Sequence, residues 1–378
     1  MIRMIKRLTY RITFGLVFLL TGPLCAQKNE ISLLFIGDVM QHKDQITSAY
    51  NPKSGKYEYQ TFKHVKDLIS GVDIAIANLE FTMAGPPYSG YPQFCAPDEI
   101  AVALKDAGVD VLVTANNHSC DKRRKGIIRT IDVLDSLAIK HTGTFKSINH
   151  KKEIFPLILQ KNGFRIALLN YTYGTNGIPI PKGTVVNLID RKTIKNDLLL
   201  AKSYHVDNII VFMHWGPEYQ RNPSKTQSDL ADYCLKNGAD FVIGSHPHVL
   251  QKMENSYNKT SNKDELVVYS LGNFVSHQRS RHRDGGAMFE LRLSKKYDRT
   301  WIESAGYYLT WVYNPQFESG EEFYVLPASQ FEHDQSFLDD FSYRKMLTFI
   351  KDSRDLFKRQ NVNVHEIKYD LKSGFWAF

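Results

Sequence analysis

The amino-acid sequence predicts an α/β fold whose strands carry a functional site at their carboxyl ends. Apolar runs of the length of a strand buried on both faces alternate along the chain with amphipathic segments of helical period. The apolar runs also end repeatedly in carboxylate, amide or imidazole side chains, often beside a glycine. Alternation of strand and helix is typical of a layered α/β fold, which binds ligands where the strands end.

The predicted elements follow this pattern in order along the chain. Strands are expected at residues 31–36, 72–77, 109–114, 165–170, 208–213, 241–243 and 266–269. Two later strands, at 287–293 and 302–313, alternate in polarity like antiparallel strands. Helices are expected at 62–70, 98–107, 126–137, 227–236 and 336–351. The loop at 171–188 is rich in glycine and proline, and we expect it to act as a lid or a substrate contact.

Two histidines follow the predicted strand at 241–243, in the stretch Gly244-Ser245-His246-Pro247-His248. The proline between them restricts the backbone, so that both imidazoles can point the same way, as metal ligands do. An isolated pair of this kind is more often a pair of surface or capping residues. This pair is not isolated, because other predicted strands end in similar groups.

Those other groups are Asp38, Glu80, Asn117 and His214. Each has an ordinary explanation when taken alone, as a helix cap, a left-handed turn or a core histidine. One shared site explains their repeated position at strand ends better than several separate caps do. Oxygen ligands combined with imidazole nitrogens suit Mn, Fe or Zn better than Ca or Mg, so we expect one or two such ions.

Six motifs, in this order, resemble the CapA family of poly-gamma-glutamate capsule biosynthesis proteins. They are Gly37-Asp38-Val39-Met40, Asn78-Leu79-Glu80, Ala115-Asn116-Asn117-His118 with Asp121, His214-Trp215-Gly216-x-Glu218, Gly244-x-His246-Pro247-His248-Val249-x-Gln251 and Ser270-Leu271-Gly272-Asn273-Phe274. The CapA family is similar in turn to the calcineurin-like metallophosphoesterases. The resemblance therefore implies a four-layer α/β/β/α sandwich of two mixed sheets flanked by helices, with a two-metal site at the strand ends.

The resemblance also implies roles for single residues. The implied metal ligands are Asp38, Glu80, Asn117, His214, His246 and His248. His118, held by Asp121, is the implied general acid, and the implied substrate-binding residues are Asn78, Glu218, Lys122, Arg123 and Asn273. Two positions depart from the phosphoesterase pattern: Met40 stands where a histidine is usual, and the segment Asn78-Leu79-Glu80 replaces the bridging aspartate, with Glu80 as the candidate for the bridging role. A thioether is a poor ligand for a hard ion.

Two classes of function remain open. If two ions bind, a metal-activated water and His118 favour hydrolysis of a phosphoester or of the gamma-amide of an anionic glutamate polymer. In that case the basic run at 122–125 would meet carboxylates, although such a run is also common in an ordinary solvated loop. The alternative is a non-catalytic component that binds or exports the polymer. Either class is expected to work with membrane-bound capsule synthesis machinery.

The amino terminus has the composition of a secretory leader. Residues 1–11 carry four cations and no acid, an apolar run follows at 12–20, and small or neutral residues end at Ala26. The apolar run is too short for a permanent membrane anchor, so a signal peptide is predicted at 1–26. Lipid attachment at Cys25 is less favoured, because Leu24 is bulky. The mature protein is expected in the periplasm or outside the cell.

The remaining composition limits the classes of protein. Four of the 48 basic residues lie in the leader, so its removal lowers the formal net charge from +8 to +4. No cluster of basic and aromatic residues occurs elsewhere, which argues against a nucleic-acid partner. One domain is expected at 27–330, with a C-terminal helical extension at 331–378 packed on it. Cys95, Cys120 and Cys234 could form one disulfide or remain three buried thiols.

The leader yields the first testable prediction. The native protein should begin near Gln27, because the small Ala26 precedes a polar segment that suits the mature terminus. Intact-mass analysis of protein purified from its own host would measure this, and a retained Met1 would contradict it.

Overall fold

The computed structural model of the chain describes residues 29–317 and 320–378. The predicted signal peptide at 1–26, including Cys25, lies outside the described residues. No helix in the described part is long and apolar enough to cross a membrane. Cys95, Cys120 and Cys234 are all buried free thiols, so the sequence alternative without a disulfide is the one observed.

Helices and strands alternate through most of the chain. The helices are α1 Lys43–Ala49, α2 Lys66–Ser70, α3 Glu99–Asp106, α4 Arg123–Ser136, α5 Ile148–Ile154, α6 Arg191–Ser203, α7 Lys225–Asn237, α8 Ala328–Phe331 and α9 Asp340–Gln360. The strands up to the sixth motif are β1 Glu30–Val39, β2 Tyr50–Asn51, β3 Lys56–Tyr57, β4 Ile74–Leu79, β5 Val111–Val113, β6 Lys140–Thr142, β7 Thr144–Phe145, β8 Leu157–Lys161, β9 Phe164–Thr172, β10 Val185–Val186, β11 Asn208–His214, β12 Phe241–Ser245, β13 Met253–Asn258, β14 Lys263–Val268 and β15 Asn273–Val275. The later strands are β16 Gly285–Lys296, β17 Arg299–Tyr313, β18 Gln316–Phe317, β19 Gly320–Glu321, β20 Tyr324–Pro327, β21 His365–Glu366, β22 Lys368–Asp370 and β23 Phe375–Ala377.

Two large mixed sheets form the centre of the fold. The first has the order β20-β17-β16-β1-β4-β5-β6, with β15 beside β1 and β21 beside β17. The second has the order β13-β14-β12-β11-β9-β8. Strands β1, β4, β5 and β6 run parallel in the first sheet, as do β9, β11, β12 and β14 in the second. Antiparallel strands complete the remaining edges of both sheets.

Successive residues of the central strands face different cores, as the two-residue period of a strand requires. In β1, Leu33 and Phe35 lie in the core between the sheets, together with residues of β9, β11 and β12. The intervening Leu34 and Ile36 pack in a second core with α3 and α4. A third core joins the other face of the second sheet to α6 and α7. This order of layers confirms the predicted α/β/β/α sandwich.

Several element boundaries differ from the sequence prediction. Helix α2 begins at Lys66 rather than at residue 62, because residues 61–65 form turns in which the N–H of Val65 bonds the carbonyl of Phe62. Helix α9 begins later than predicted, because the Asp339 side chain caps its amino end by accepting the N–H of Ser342. It also ends later than predicted, at Gln360. Helices α1, α5 and α6 fall where no element is predicted.

The C-terminal segment at 331–378 combines this long helix with short strands. Met346, Phe349 and Ile350 of α9 lie in the core between the sheets. Strand β21 pairs with β17 and so extends the first sheet, while β22 and β23 pair with each other. The segment therefore contributes both a helix and strand pairing to the sandwich.

A close backbone contact fixes the end of β1. A Cβ atom added to Gly37 would lie 2.3 Å from the carbonyl oxygen of Gly272. That same carbonyl accepts the backbone N–H of Asp38 at 3.0 Å. Glycine is therefore required if the chain is to place Asp38 against the loop before β15.

We expect Gly37→Ala to lower the free energy of unfolding by about 1–3 kcal/mol or more, because an added methyl group must displace packed backbone. Urea denaturation of the purified variant would measure the change. Gly174→Ala is the matched control, since a Cβ at Gly174 meets nothing within 4 Å. Equal stability of the two variants would contradict the prediction.

Candidate metal centre

The candidate site lies where the parallel strands of both sheets end. Asp38 lies near the end of β1, and Asn78 and Glu80 lie at the end of β4. On the second sheet, His214 is the last residue of β11, and its neighbour in register is Ser245, the last residue of β12. Because parallel strands end at the same edge, the two sheets bring these side chains together between them.

Asp38 is fully buried and accepts several hydrogen bonds. Its Oδ1 accepts the side-chain amide of Asn78 at 2.8 Å. Its Oδ2 accepts the backbone N–H of His246 at 3.3 Å and lies 3.2 Å from Nδ1 of His248. Burial alone would raise the pKa of Asp38, but the contacts with His248 and Asn78 outweigh it and lower that pKa. Asp38 is therefore held as a carboxylate.

Glu80 is equally buried but has no such partners. Neither oxygen of its carboxyl group has a hydrogen-bond partner among the described residues. Oε1 lies 3.7 Å from Nε2 of His214 and 3.8 Å from Nε2 of His248. Burial, together with the negative charge of Asp38, raises the pKa of Glu80 well above its usual value. An unsatisfied buried carboxyl group of this kind is costly without a cation.

Three imidazoles surround these carboxyl groups. Nε2 of His214 lies 2.9 Å from Oδ1 of Asn117, and its Nδ1 lies 3.1 Å from Oγ of Ser245. The ring centroids of His214 and His246 are 4.7 Å apart. Burial lowers the pKa of His246 to about 3 and that of His214 well below its usual value. Both rings are therefore neutral, which is the state that binds metal.

The two histidines after β12 have unusual backbone conformations. His246 has a φ of 99° and His248 a φ of 57°, in the left-handed region that side chains rarely adopt. The strand before them also makes a close contact, because a Cβ at Gly244 would lie 2.2 Å from the carbonyl oxygen of Tyr269. Such strain persists only where the surrounding structure imposes it, and it is common at functional sites.

The donor atoms form two overlapping groups suited to a metal ion. One consists of Glu80, His246 and His248, and the other of Asp38, Glu80 and His214, each with its donor atoms within 4.8 Å of one another. Nδ1 of His246 and both oxygens of Glu80 have no hydrogen-bond partner among the described residues. These residues therefore fit one or two divalent cations, with Glu80 common to both groups.

His118 lies beside this centre and belongs to neither group. Its Nδ1 lies 2.7 Å from Oδ2 of Asp121, which also accepts the backbone N–H of Phe94 at 2.6 Å. The ring of Phe94 packs edge-on against His118, with centroids 4.6 Å apart. The neighbouring Asn116 anchors the loop by donating to the carbonyl of Leu79 at 2.7 Å. This arrangement holds the imidazole of His118 in one orientation.

The remaining predicted residues divide between the site and the surface. Asn273 lies in the site, with Oδ1 3.0 Å from Nδ1 of His248. Lys122 and Arg123 instead lie at the start of α4, and within the described residues neither side chain has an ion pair with the ligand groups. Glu218 is exposed on the loop after β11 and directly precedes Tyr219, whose ring lies 6.1 Å from that of His248. Met40 is buried in the core beneath the helices rather than among the ligand groups.

The structure also places residues in the site that sequence reasoning missed. The ring of Tyr173 lies 4.6 Å from that of His246, and the ring of Tyr219 lies 6.1 Å from that of His248. Both tyrosines are nearly half exposed, so they border the opening of the site. Their only signal in the sequence is position: Tyr173 lies in the predicted contact loop, and Tyr219 directly follows the His214 motif.

His42 is a further residue near the site that sequence reasoning missed. Its ring packs against the other side of Phe94, with centroids 5.2 Å apart, and its Nδ1 accepts the backbone N–H of His277 at 3.2 Å. Burial lowers the pKa of His42 to about 4, so the ring is neutral near pH 7. No spacing in the sequence relates His42 to the ligand motifs.

The fold and the site define an α/β/β/α sandwich with a candidate metal centre. The family model described as bacterial capsule synthesis protein PGA_cap matches residues 32–278. Capsule biosynthesis protein CapA of Bacillus anthracis is 30% identical over 275 residues, which cover 68% of this chain and 62% of that relative. PGA biosynthesis protein CapA of Bacillus subtilis (strain 168) is 29% identical over 277 residues, covering 70% and 68%. The chain belongs to this family of capsule synthesis proteins, and the predicted resemblance is confirmed.

The chain also matches solved structures, at much lower sequence identity. NAD nucleotidase (NadN) of Haemophilus influenzae gives a TM-score of 0.48 at 13% identity, covering 91% of this chain and 65% of that chain. The calcineurin-like phosphoesterase YfkN from Bacillus subtilis gives a TM-score of 0.45 at 13% identity, covering 87% and 97%.

The shared position of Glu80 yields a prediction about metal content. We expect Glu80→Gln to lower the metal bound at both groups, because it removes the charge common to them while keeping the shape of the side chain. Mass spectrometry of bound metal, after reconstitution with Mn, Fe or Zn, would measure the stoichiometry. Glu290→Gln is the control, since Glu290 is a buried carboxylate bonded to Tyr308 outside this site. Unchanged stoichiometry in Glu80→Gln would refute the shared position.

Proposed function

We propose that this capsule synthesis protein is a metal-dependent hydrolase of phosphoester or gamma-glutamyl bonds that acts outside the cytoplasm in making or processing an anionic capsule polymer. The observation that carries the proposal is Glu80, a fully buried carboxyl group without a hydrogen-bond partner, common to two groups of donor atoms. A structural role alone gives no reason to bury a carboxyl group without a partner, whereas a binding site for divalent cations gives one.

The chain itself supplies the ligands and their orientation. The residues that would hold the cations are Asp38, Glu80, Asn117, His214, His246 and His248. Cations bound there supply Lewis acidity and a water molecule whose pKa is near 7. Asn78, Ser245 and Asn273 orient the ligands through contacts of 2.8 Å with Asp38, 3.1 Å with His214 and 3.0 Å with His248.

His118 is placed to donate a proton to the leaving group. With its Nδ1–H donating to Asp121, the ring would pass a proton from Nε2 when it is an imidazolium, and it would be left neutral with its proton on Nδ1. Phe94 packs against the ring and donates its backbone N–H to the same carboxylate, which keeps the pair in place. General acid catalysis needs a group of this kind beside the metal ligands but outside the coordination sphere.

The second candidate function is a component that binds or exports the polymer without cleaving it. Met40 favours this alternative, because it occupies the position of a usual histidine ligand and packs in an apolar core. The names of the two similar Bacillus proteins state a role in capsule or PGA biosynthesis. We propose in either case that the protein works with membrane-bound synthesis machinery.

The hydrolase proposal is tested by separating metal binding from proton transfer. We expect His118→Ala to keep the wild-type metal stoichiometry while turnover falls by about 10²- to 10⁴-fold, the usual contribution of a general acid. His246→Ala should lose metal and turnover together. The assays are mass spectrometry of bound metal and hydrolysis of bis(p-nitrophenyl) phosphate and of a gamma-linked glutamate oligomer.

His141→Ala is the matched control. His141 is also buried and lies 2.9 Å from an aspartate, Asp135, but it belongs to neither ligand group. If His118→Ala loses metal as fully as His246→Ala, then His118 is a ligand and the mechanism is wrong. If metal-loaded wild-type protein hydrolyses neither substrate, the polymer-binding alternative replaces the hydrolase.

A further inference from the structure

An arginine that none of the six motifs contains lies at the opening of the candidate metal centre. Arg283 belongs to the loop between β15 and β16, and its guanidinium carbon lies 4.2 Å from the centroid of the Tyr219 ring. The Tyr219 ring in turn lies 6.1 Å from the ring of His248. A guanidinium stacked on an aromatic ring is held by a cation–π interaction that leaves its N–H edge available.

The backbone of Arg283 is tied to the same histidine by a second route. Its carbonyl oxygen accepts the side-chain amide of Asn273 at 2.8 Å. The other side-chain atom of that amide, Oδ1, lies 3.0 Å from Nδ1 of His248. Arg283 is therefore fixed relative to His248 both through its side chain and through its main chain.

The charge of Arg283 has no carboxylate partner within the described residues. The contact of its side chain at the site is with Tyr219. Arg281 of the same loop is instead paired with Asp352 at 2.7 Å. The charge of Arg283 is therefore available beside the site.

We infer that Arg283, supported by Tyr219, binds an oxyanion of the substrate next to the reacting bond. A planar guanidinium binds carboxylate or phosphate through two parallel hydrogen bonds, so it both attracts and orients such a group. The oxyanion is either a side carboxylate of the glutamate polymer or a phosphate. The inference rests on the proposed function for the identity of the substrate, but its binding test needs no turnover.

This assignment differs from the one that the sequence favours. The basic run at 122–125 lies beside the Asn-His motif in the chain, yet Arg123, Arg124 and Lys125 are exposed on α4. Arg124 also bonds the carbonyl of Lys182 rather than extending alone into solvent. Arg283 has the closer connection to the ligand groups, through Tyr219 and Asn273.

The test measures binding of a fluorescent gamma-linked glutamate hexamer to the full chain without added metal. We expect Arg283→Gln to weaken hexamer binding about tenfold or more, as loss of hydrogen bonds to a charged group does. Arg283→Lys should recover part of the affinity, because it keeps the charge and loses the planar fork. The affinity of Tyr219→Leu for the hexamer should lie between those of the wild type and Arg283→Gln, because this substitution removes only the ring that supports the guanidinium.

Two probes separate the sources of the oxyanion. If Arg283 binds a carboxylate, methyl esterification of the hexamer should lower its affinity for the wild type. That affinity should fall to the value measured for the unmodified hexamer and Arg283→Gln. If a phosphate is bound, inorganic phosphate competes with the hexamer in wild type and not in Arg283→Gln. Either result supports the assignment of Arg283, and the two identify different substrates.

Arg299→Gln is the control, since Arg299 is exposed at the start of β17, at the end of the sandwich opposite the site. Thermal unfolding of each variant checks that the fold is unchanged. If Arg283→Gln binds both probes as the wild type does, the inference is wrong.

Where turnover is observed, Arg283→Gln should raise KM more than it lowers kcat. Absence of turnover in the wild type contradicts the hydrolase alone and leaves the binding result valid.

Discussion

The structure depends on two carboxyl groups, Asp38 and Glu80, that are completely buried where the two sheets meet. Within the described residues, their ion-pair contacts are with imidazoles and none is with lysine or arginine. Their pKa values move apart: burial would raise that of Asp38, but its contacts with His248 and Asn78 lower it, whereas burial and the charge of Asp38 raise that of Glu80. A divalent cation would relieve both the burial and the repulsion, and the donor atoms around these carboxyl groups fit such an ion.

The sandwich provides the stiffness that this arrangement needs. The left-handed conformations of His246 and His248 cost free energy, of order 1–3 kcal/mol each. Strand β12, paired on both sides in the second sheet, holds the start of this segment. Asn273 then fixes the ring of His248 through β15, which is inserted beside β1 of the first sheet. The ligands are thus placed by both sheets and not by loops alone.

The local pattern of the sequence was sufficient for the α/β class and for the position of polar groups at strand ends, whereas the four-layer sandwich was implied by the family resemblance. Buried parallel strands such as β1 are continuous apolar runs, and a polar residue at the end of such a run stands out. Helix α6 escaped prediction although Ile194, Leu198 and Ala201 form its buried face. The tyrosines and the arginine at the opening could not be predicted, because only tertiary folding brings Tyr219 and Arg283 beside His248.

The general acid and the tyrosine beside the ligand groups follow strands of different sheets. His118 and its partner Asp121 follow β5 of the first sheet, whereas Tyr219 follows β11 of the second. His118 and Arg283 both lie on connections of the first sheet, since Arg283 lies between β15 and β16. The second sheet contributes Tyr219, whose ring holds the side chain of Arg283. On the proposed function, the sandwich is therefore needed for orientation of the substrate as well as for binding of the cations.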